Sequence, residues 1–594
     1  VLVSTLIFNL TGCRDGISAT SFSFIPVNQT NLLSPRTIPL NLCLLIALAG
    51  LTFFFHLGSV GLLGPDEPRY AQVAREMMDR GDWITPTLLG RTWFEKPALV
   101  YWLMGISYRL FGVSEWAVRF PSACLALGGV LWMYWLGTRV HSQRFGFWTA
   151  AVLASSCFYF GFARGGTFDL PLTVCVSVTL GAFLWWDLAP TRTNHGWLWV
   201  FYFFLGISLL AKGLIGLVLP AGIIGGYLSL SSTSVRDFFQ RVNRTHWLLG
   251  SGLMLCSASI WYGPVIWQHG HAFIQEFFIA HHFQRYTSDK YHHTGPVYFY
   301  LPVILGGLFP WTFFAVHGLL EQITTIRNQW TSPVEAKPSL PAFKVACFSL
   351  CWIFFPLLFF SFSGSKLPGY ILPIWPAAAL MVGTSIEKLR ADGCARTRQR
   401  LMAGTSLLIG LGAGLVWVAG QKVVPVPGQF IGVVGVLGCL GSSGLILAFW
   451  PQSRAQSGFY GLLCGGMALL VIVITIQLFP ALERRESLKY LSVTARQAIL
   501  PGELVTFYKC RKYAPVFYLP AQVHCCDVDQ EPNRYDHPDD LYTFLRSRGS
   551  LLVLLPASLE PELRTDPRFE VQPLGTEFTF SLIRLRPTRP LPQD

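Results

Sequence analysis

Apolar runs of about 20 residues recur along this chain from Pro39 to Phe479, separated by short polar turns. A run of that length spans hydrocarbon only as a helix, because the helix satisfies its own backbone polar groups where water is absent. The repetition therefore dictates a polytopic α-helical membrane protein. Composition agrees: 52% of the 594 residues are hydrophobic and 13% charged, with mean hydropathy +0.44. A soluble domain carries about a quarter charged residues.

Counting the runs gives about 13 spans, the first Pro39–Leu57 and the last Gly458–Phe479. Ala98–Gly112 is excluded from the count. Its 15 residues carry Arg109 and read as a helix lying in the interface. Residues 1–38 form a poorly defined leader without a clean signal-peptide pattern. Residues 39–479 make the membrane domain, and residues 480–594 return to soluble composition. In that tail Leu504–Tyr508, Val516–Leu519 and Leu551–Leu555 read as short strands, and Leu488–Ile499 and Asp539–Arg548 as amphipathic helices. The expectation is a small extracytoplasmic α/β domain.

The net charge of +13 does not point to nucleic acid, because no basic stripe lies on a soluble domain. Much of the excess sits in short turns such as Arg139/Arg144, Arg236/Arg241/Arg244 and Lys388/Arg390. The positive-inside tendency makes that set cytoplasmic. The alternate set holds the loop 58–116, Arg164–Asp169, Lys212, the loop 268–296, Ser363–Tyr370 and the tail. The residues suited to chemistry thus collect on one outer face.

Asp66 and Glu67 open the first outer loop ahead of Pro68. Acidic residues suit a helix start electrostatically, which accounts for Glu67. Asp66 is the better general base, an interfacial carboxylate facing a cavity. Glu95 and Lys96 close the loop, and Lys96 would either snorkel or hold a lipid phosphate. Loop 268–296 holds six histidines, among them His281 and His282. That suggests a divalent metal, though no tight ligand spacing is present and a solvated cluster is the competing reading. Arg285 in HHFQRY suits a bidentate phosphate grip. Lys366 and Tyr370 lie in a tight turn at the same depth, and Asp169 beside Arg164 follows ARGGTF.

Five motifs occur in order over residues 39–390: GPDEPRYAQVAREM, WFEKPALVYW, ARGGTFDLP, HHFQRY with HHTGPVYFYLPV and FPW, and SKLPGYILPIWPA. Together they resemble the bacterial transferases that use polyprenyl-phosphate sugars, within the GT-C class that includes protein O-mannosyltransferases. The pattern is most similar to the undecaprenyl-phosphate aminoarabinose transferases that modify lipid A. The resemblance implies a GT-C fold of an inner-membrane enzyme, with its site and tail facing the periplasm. By motif it makes Asp66 the catalytic carboxylate and Asp169 the second acid. Lys96, Arg285, Lys366 and Tyr370 would meet the donor phosphate, supported by Glu67, Arg69 and Glu95. Some relatives bind a divalent metal, for which Glu95 with His281 or His282 would be the ligands here. The implied partners are a polyprenyl-phosphate sugar, lipid A or another outer-face acceptor, and membrane lipid. Transfer to protein or polysaccharide stays open, as does the sugar. A lipid flippase or transporter is the competing class, disfavoured because no inverted repeat is visible and the polar groups gather at one face.

Overall fold

The computed structural model describes residues 37–189, 195–284, 295–332, 340–391, 395–423, 430–450, 454–480, 483, 487–510, 512–520, 522–524 and 534–588. The chain divides into two compact units. One comprises residues up to Phe55, Glu95–Leu99 and Ser122–Ile474; the other comprises His56–Phe94, Val100–Pro121 and Thr475–Asp594.

The first unit is helical. Among the described residues eight helices are long and apolar enough to cross a membrane, or up to ten if each of two bent pairs is one span. Three of the shorter apolar helices, Leu40–Phe54, Gly196–Lys212 and Ile215–Ser231, coincide with the remaining runs read from the sequence. The fourth, Leu99–Phe111, is the one read as interfacial.

The two bent pairs show how interrupted helices survive inside a bundle. Gln143–Ser155 and Cys157–Ala163 meet at 66°, and Val297–Gly307 and Thr312–Thr331 at 114°. A break frees backbone groups that lipid cannot satisfy, so they must be answered by protein. Here the breaks answer each other: the Cys157 N–H donates to the Phe309 carbonyl at 3.1 Å. The Trp311 indole donates to Ser155 Oγ at 3.0 Å.

The second unit joins the first polar loop to the C-terminal residues. Its helix Asp66–Arg80 buries Tyr70, Ala71, Val73, Ala74 and Met77, the spacing of an amphipathic stripe. It stops at Gly81, whose φ of +67° is the left-handed conformation glycine adopts without strain. A two-stranded hairpin follows, β1 (Thr87–Leu88) and β2 (Arg91–Thr92). The Glu76 carboxylate fastens it by accepting from Thr87 Oγ1 and the Leu89 N–H, both at 2.7 Å.

The C-terminal residues form a five-stranded sheet from β3 (Val505–Tyr508), β4 (Arg534–Tyr535), β5 (Leu551–Pro556), β6 (Phe569–Glu577) and β7 (Phe580–Pro587). The order is β4-β3-β5-β7-β6, with β3 parallel to β4 and β5, and β5-β7-β6 antiparallel. The continuous apolar run of β5 fits a central strand covered on both faces. Leu551, Val553 and Leu555 point into a core with Leu541, Leu545, Ile583 and Leu585. One expected strand is corrected: Val516–Leu519 lies largely in a short helix, Ala514–Tyr518. Pro515 occupies its first turn, where a missing N–H costs nothing, and local start chemistry outweighed the apolar pattern.

Candidate active site

Neighbouring residues on a helix point about 100° apart, so Asp66 and Glu67 cannot share an environment. Glu67 turns inward. Its carboxylate meets Arg119 at 2.7 and 2.8 Å and accepts the Leu63 N–H at 2.9 Å. Arg119 spends its other donors on the carbonyls of Leu57, Val60 and Gly61. Both side chains are at most 7% exposed. This pair shapes the loop and is committed. Asp66 turns outward, with its side chain 46% exposed, and pairs with Arg69. Arg69 is held in turn over the Tyr513 ring at 4.8 Å and near Trp93 at 5.7 Å. Of two adjacent acids, the structure leaves Asp66 reachable and uses Glu67 to fix the helix that presents it.

The membrane unit carries the second group. Asp169 begins the helix Asp169–Leu188, where backbone N–H groups favour negative charge. Its carboxylate pairs with Lys212, the last residue of the helix His195–Lys212. The Lys212 ammonium sits 4.8 Å from the Tyr370 ring centroid, and Tyr370 leans on Phe360 at 5.4 Å. The chain enters this cluster through Gly369. A Cβ there would fall 2.8 Å from the Asp169 carboxyl, so only glycine permits the approach. Lys366 is buried, and its ammonium donates to the Ser363 carbonyl at 2.7 Å.

Glu95 and Lys96 form an ion pair at 2.7 Å in the same unit. Arg164 donates to the carbonyls of Phe55 and Thr52 at the end of the first helix; the cation paired with Asp169 is Lys212. Arg285 and the side chain of His282 lie outside the described residues. Among the described residues no three His, Cys, Asp or Glu side chains converge as a metal would need.

Sequence reasoning passed over Arg119 and Gly369 and named Lys212 on the outer face without a role. Arg119 carried a readable signal, a cation inside an apolar run, which must find a buried partner. Gly369 carried none, because a close approach is invisible until its neighbour is placed.

These features can be set beside known proteins. Residues 95–267 match the family model described as dolichyl-phosphate-mannose-protein mannosyltransferase, a stretch containing Glu95, Lys96, Asp169 and Lys212. The undecaprenyl phosphate-alpha-4-amino-4-deoxy-L-arabinose arabinosyl transferase of Aeromonas salmonicida is 31% identical over 338 residues, 56% of this chain. The chain spans 57% of that relative's length. The enzyme of the same name from Pectobacterium carotovorum is 28% identical over 458 residues, 75% of this chain and 77% of its own. The crystal structure of ArnT from Cupriavidus metallidurans bound to undecaprenyl phosphate superposes with a TM-score of 0.73 at 21% identity, covering 93% of this chain and 98% of that one. This chain has the GT-C fold. It is a multi-pass membrane protein that resembles the polyprenyl-phosphate-sugar transferases.

Proposed function

We propose that this chain is an inverting glycosyltransferase of the plasma membrane that takes a sugar from an undecaprenyl-phosphate donor. The preferred transfer is of 4-amino-4-deoxy-L-arabinose to lipid A, after the names of the relatives. Its site and C-terminal residues would face the periplasm, since the basic turns fall at the opposite helix ends. The observation that carries the reading is the Asp169–Lys212–Tyr370 cluster. A cation kept at the end of an apolar helix by one carboxylate and one aromatic face is suited to receive a lipid phosphate.

The acceptor oxygen attacks the anomeric carbon, forming the new glycosidic bond. The bond from that carbon to the phosphate oxygen breaks, and its electron pair leaves with the lipid phosphate. Lys212, Lys366, Lys96 and Arg285 would steady the departing charge. If the acceptor is a hydroxyl, its proton passes to Asp66; if it is a lipid A phosphate, already ionised, Asp66 positions it. Transfer to protein, as in the matched family's description, is the second reading and rests on that match alone.

Asp66→Asn tests the assignment in purified protein by release of free undecaprenyl phosphate. The expected loss is about 10²–10⁴-fold, the range for general acid–base groups. Unchanged turnover would remove Asp66 from the chemistry.

A divalent ion rests on the resemblance alone. The described residues do not assemble a site for one, since Glu95 carries an ion pair with Lys96. Glu95 with His281 or His282 would have to rearrange around it, and no step above passes through it. Thorough chelation followed by the same assay decides: lost activity restored by added metal supports the ion, and full activity excludes a required one.

A further inference from the structure

At the end of the membrane unit opposite Asp169 lies a pocket of about 400 Å³ to which the proposed chemistry gives no task. Four helices frame it, Thr37–Ala49, Gln143–Ser155, Trp375–Ala391 and Arg454–Val473. It is lined by the exposed side chains of Arg144 and Arg390, by Asn41 and by the buried amide of Gln456. Aromatic rings complete the lining. Trp148 meets Tyr460 edge to face at 5.3 Å, and Gln456 donates to the Tyr460 hydroxyl at 3.0 Å.

Among the described residues no carboxylate lines this pocket. Glu387, buried one turn before Arg390, acts on Arg144 electrostatically, so the described side chains carry a surplus of positive charge. Among the described residues neither Arg144 nor Arg390 forms an ion pair, whereas Arg241 and Lys344 in the same unit share Asp187. Two guanidiniums without an ion pair among the described residues, beside amides and aromatic rings, suit a tetrahedral oxyanion bearing a small organic group. Size agrees, because small-ligand sites run from about 300 to 1,000 Å³. The pocket lies one helix from Tyr370: Trp375–Ala391 alone is about 26 Å long at 1.5 Å per residue. It is not part of the Asp169 cluster.

We infer that this pocket binds a phosphate-bearing anion, the headgroup of an anionic phospholipid of the surrounding leaflet. The basic turns at this end place the guanidiniums where such headgroups lie. The inference does not rest on the proposed transferase activity.

Native mass spectrometry of the full chain in detergent tests it, with phosphatidylglycerol, phosphatidylcholine and inorganic phosphate added separately. The wild type should retain phosphatidylglycerol over phosphatidylcholine, and Arg144→Gln/Arg390→Gln should weaken that retention about tenfold or more, for two lost charge-assisted contacts. If phosphate alone binds, and is lost in the double variant, the ligand is a soluble phosphate rather than a lipid. If neither anion binds the wild type, or the double variant binds both as before, the inference falls. Should that variant not fold, Gln456→Leu keeps both charges and removes a lining amide, and it should weaken retention less; unchanged retention there would overturn the site.

Discussion

The helix Asp169–Leu188 has a carboxylate at its first residue and another one residue from its last, and the two are treated differently. Asp187 meets Arg241, Lys344 at 2.9 Å and the Tyr227 hydroxyl, and Lys344 also donates to its carbonyl. That cluster ties four segments together, with nothing left to offer a ligand. Asp169 has a similar exposure, 19% against 11%, yet among the described residues its one cationic partner is Lys212. Burial therefore does not separate these two acids. Saturation does. Glu67 and Asp66 repeat the contrast one residue apart: Glu67 accepts from Arg119 twice and from the Leu63 N–H, whereas Asp66 pairs with Arg69, although here exposure differs as well.

Replacing both ends of that helix with asparagine puts the contrast at risk. Asp187→Asn leaves the buried Arg241 and the partly buried Lys344 without their carboxylate and should cost about 3–5 kcal/mol, seen as a lower thermal midpoint or loss of folded protein. Asp169→Asn keeps a hydrogen-bond acceptor for a single cation, so the midpoint should hold while turnover falls about 10²-fold or more. Equal destabilisation by the two would show that Asp169 is a structural acid like Asp187, and the phosphate role of Lys212 would go with it.

How much was legible in the sequence follows from which signals are local. Apolar runs and basic turns are local, and each run read as a span coincides with an apolar helix, although five of the thirteen are bent or short. The motif residues Asp169 and Tyr370 do come together with Lys212. Asp187 attracted no attention because its worth depends on Arg241 and Lys344, which are 54 and 157 residues away. Val516–Leu519 failed for the opposite reason: an apolar run of four residues fits strand or helix, and Pro515 decided it. β6 went unread because its exposed face dilutes the apolar signal, and β7 because its buried stretch, Ser581–Leu585, includes the polar Ser581 and Arg584.

A smaller perturbation sharpens the contrast without touching charge. Gly369→Ala would set a methyl 2.8 Å from the Asp169 carboxyl. The carboxylate must shift, and Lys212 with it, because the pair moves as one. Misplacement of a positioning group by a fraction of an ångström should cost about tenfold in kcat/KM, below the loss expected for Asp169→Asn. The thermal midpoint should change little, since the cluster is not saturated. An alanine variant with full activity would show that the Asp169–Lys212 geometry has slack and does not position the donor.

The smallest effect tests the saturated class where pH can reach it. Glu503, in the C-terminal sheet domain, faces Arg584 at 2.8 and 3.1 Å and accepts the Leu500 N–H at 2.8 Å. Burial pushes its carboxyl up, but the hydrogen bonds from Arg584, Ser550 and Leu500 outweigh it and hold the group below its ordinary value. A carboxyl lowered by folding adds stability above its unfolded value, near 4.3, and that contribution is lost as pH falls through the lower folded value. Glu503→Gln keeps the hydrogen-bonding outline and removes the charge. It should cost about 1 kcal/mol at pH 7, the difference between charged and neutral hydrogen bonds, measured by thermal or denaturant unfolding. The gap between wild type and Glu503→Gln should close as pH is lowered from 5 toward 3. A gap that stayed constant across that window would mean that the pair contributes through shape alone, and saturation by charge would then lose its clearest soluble example.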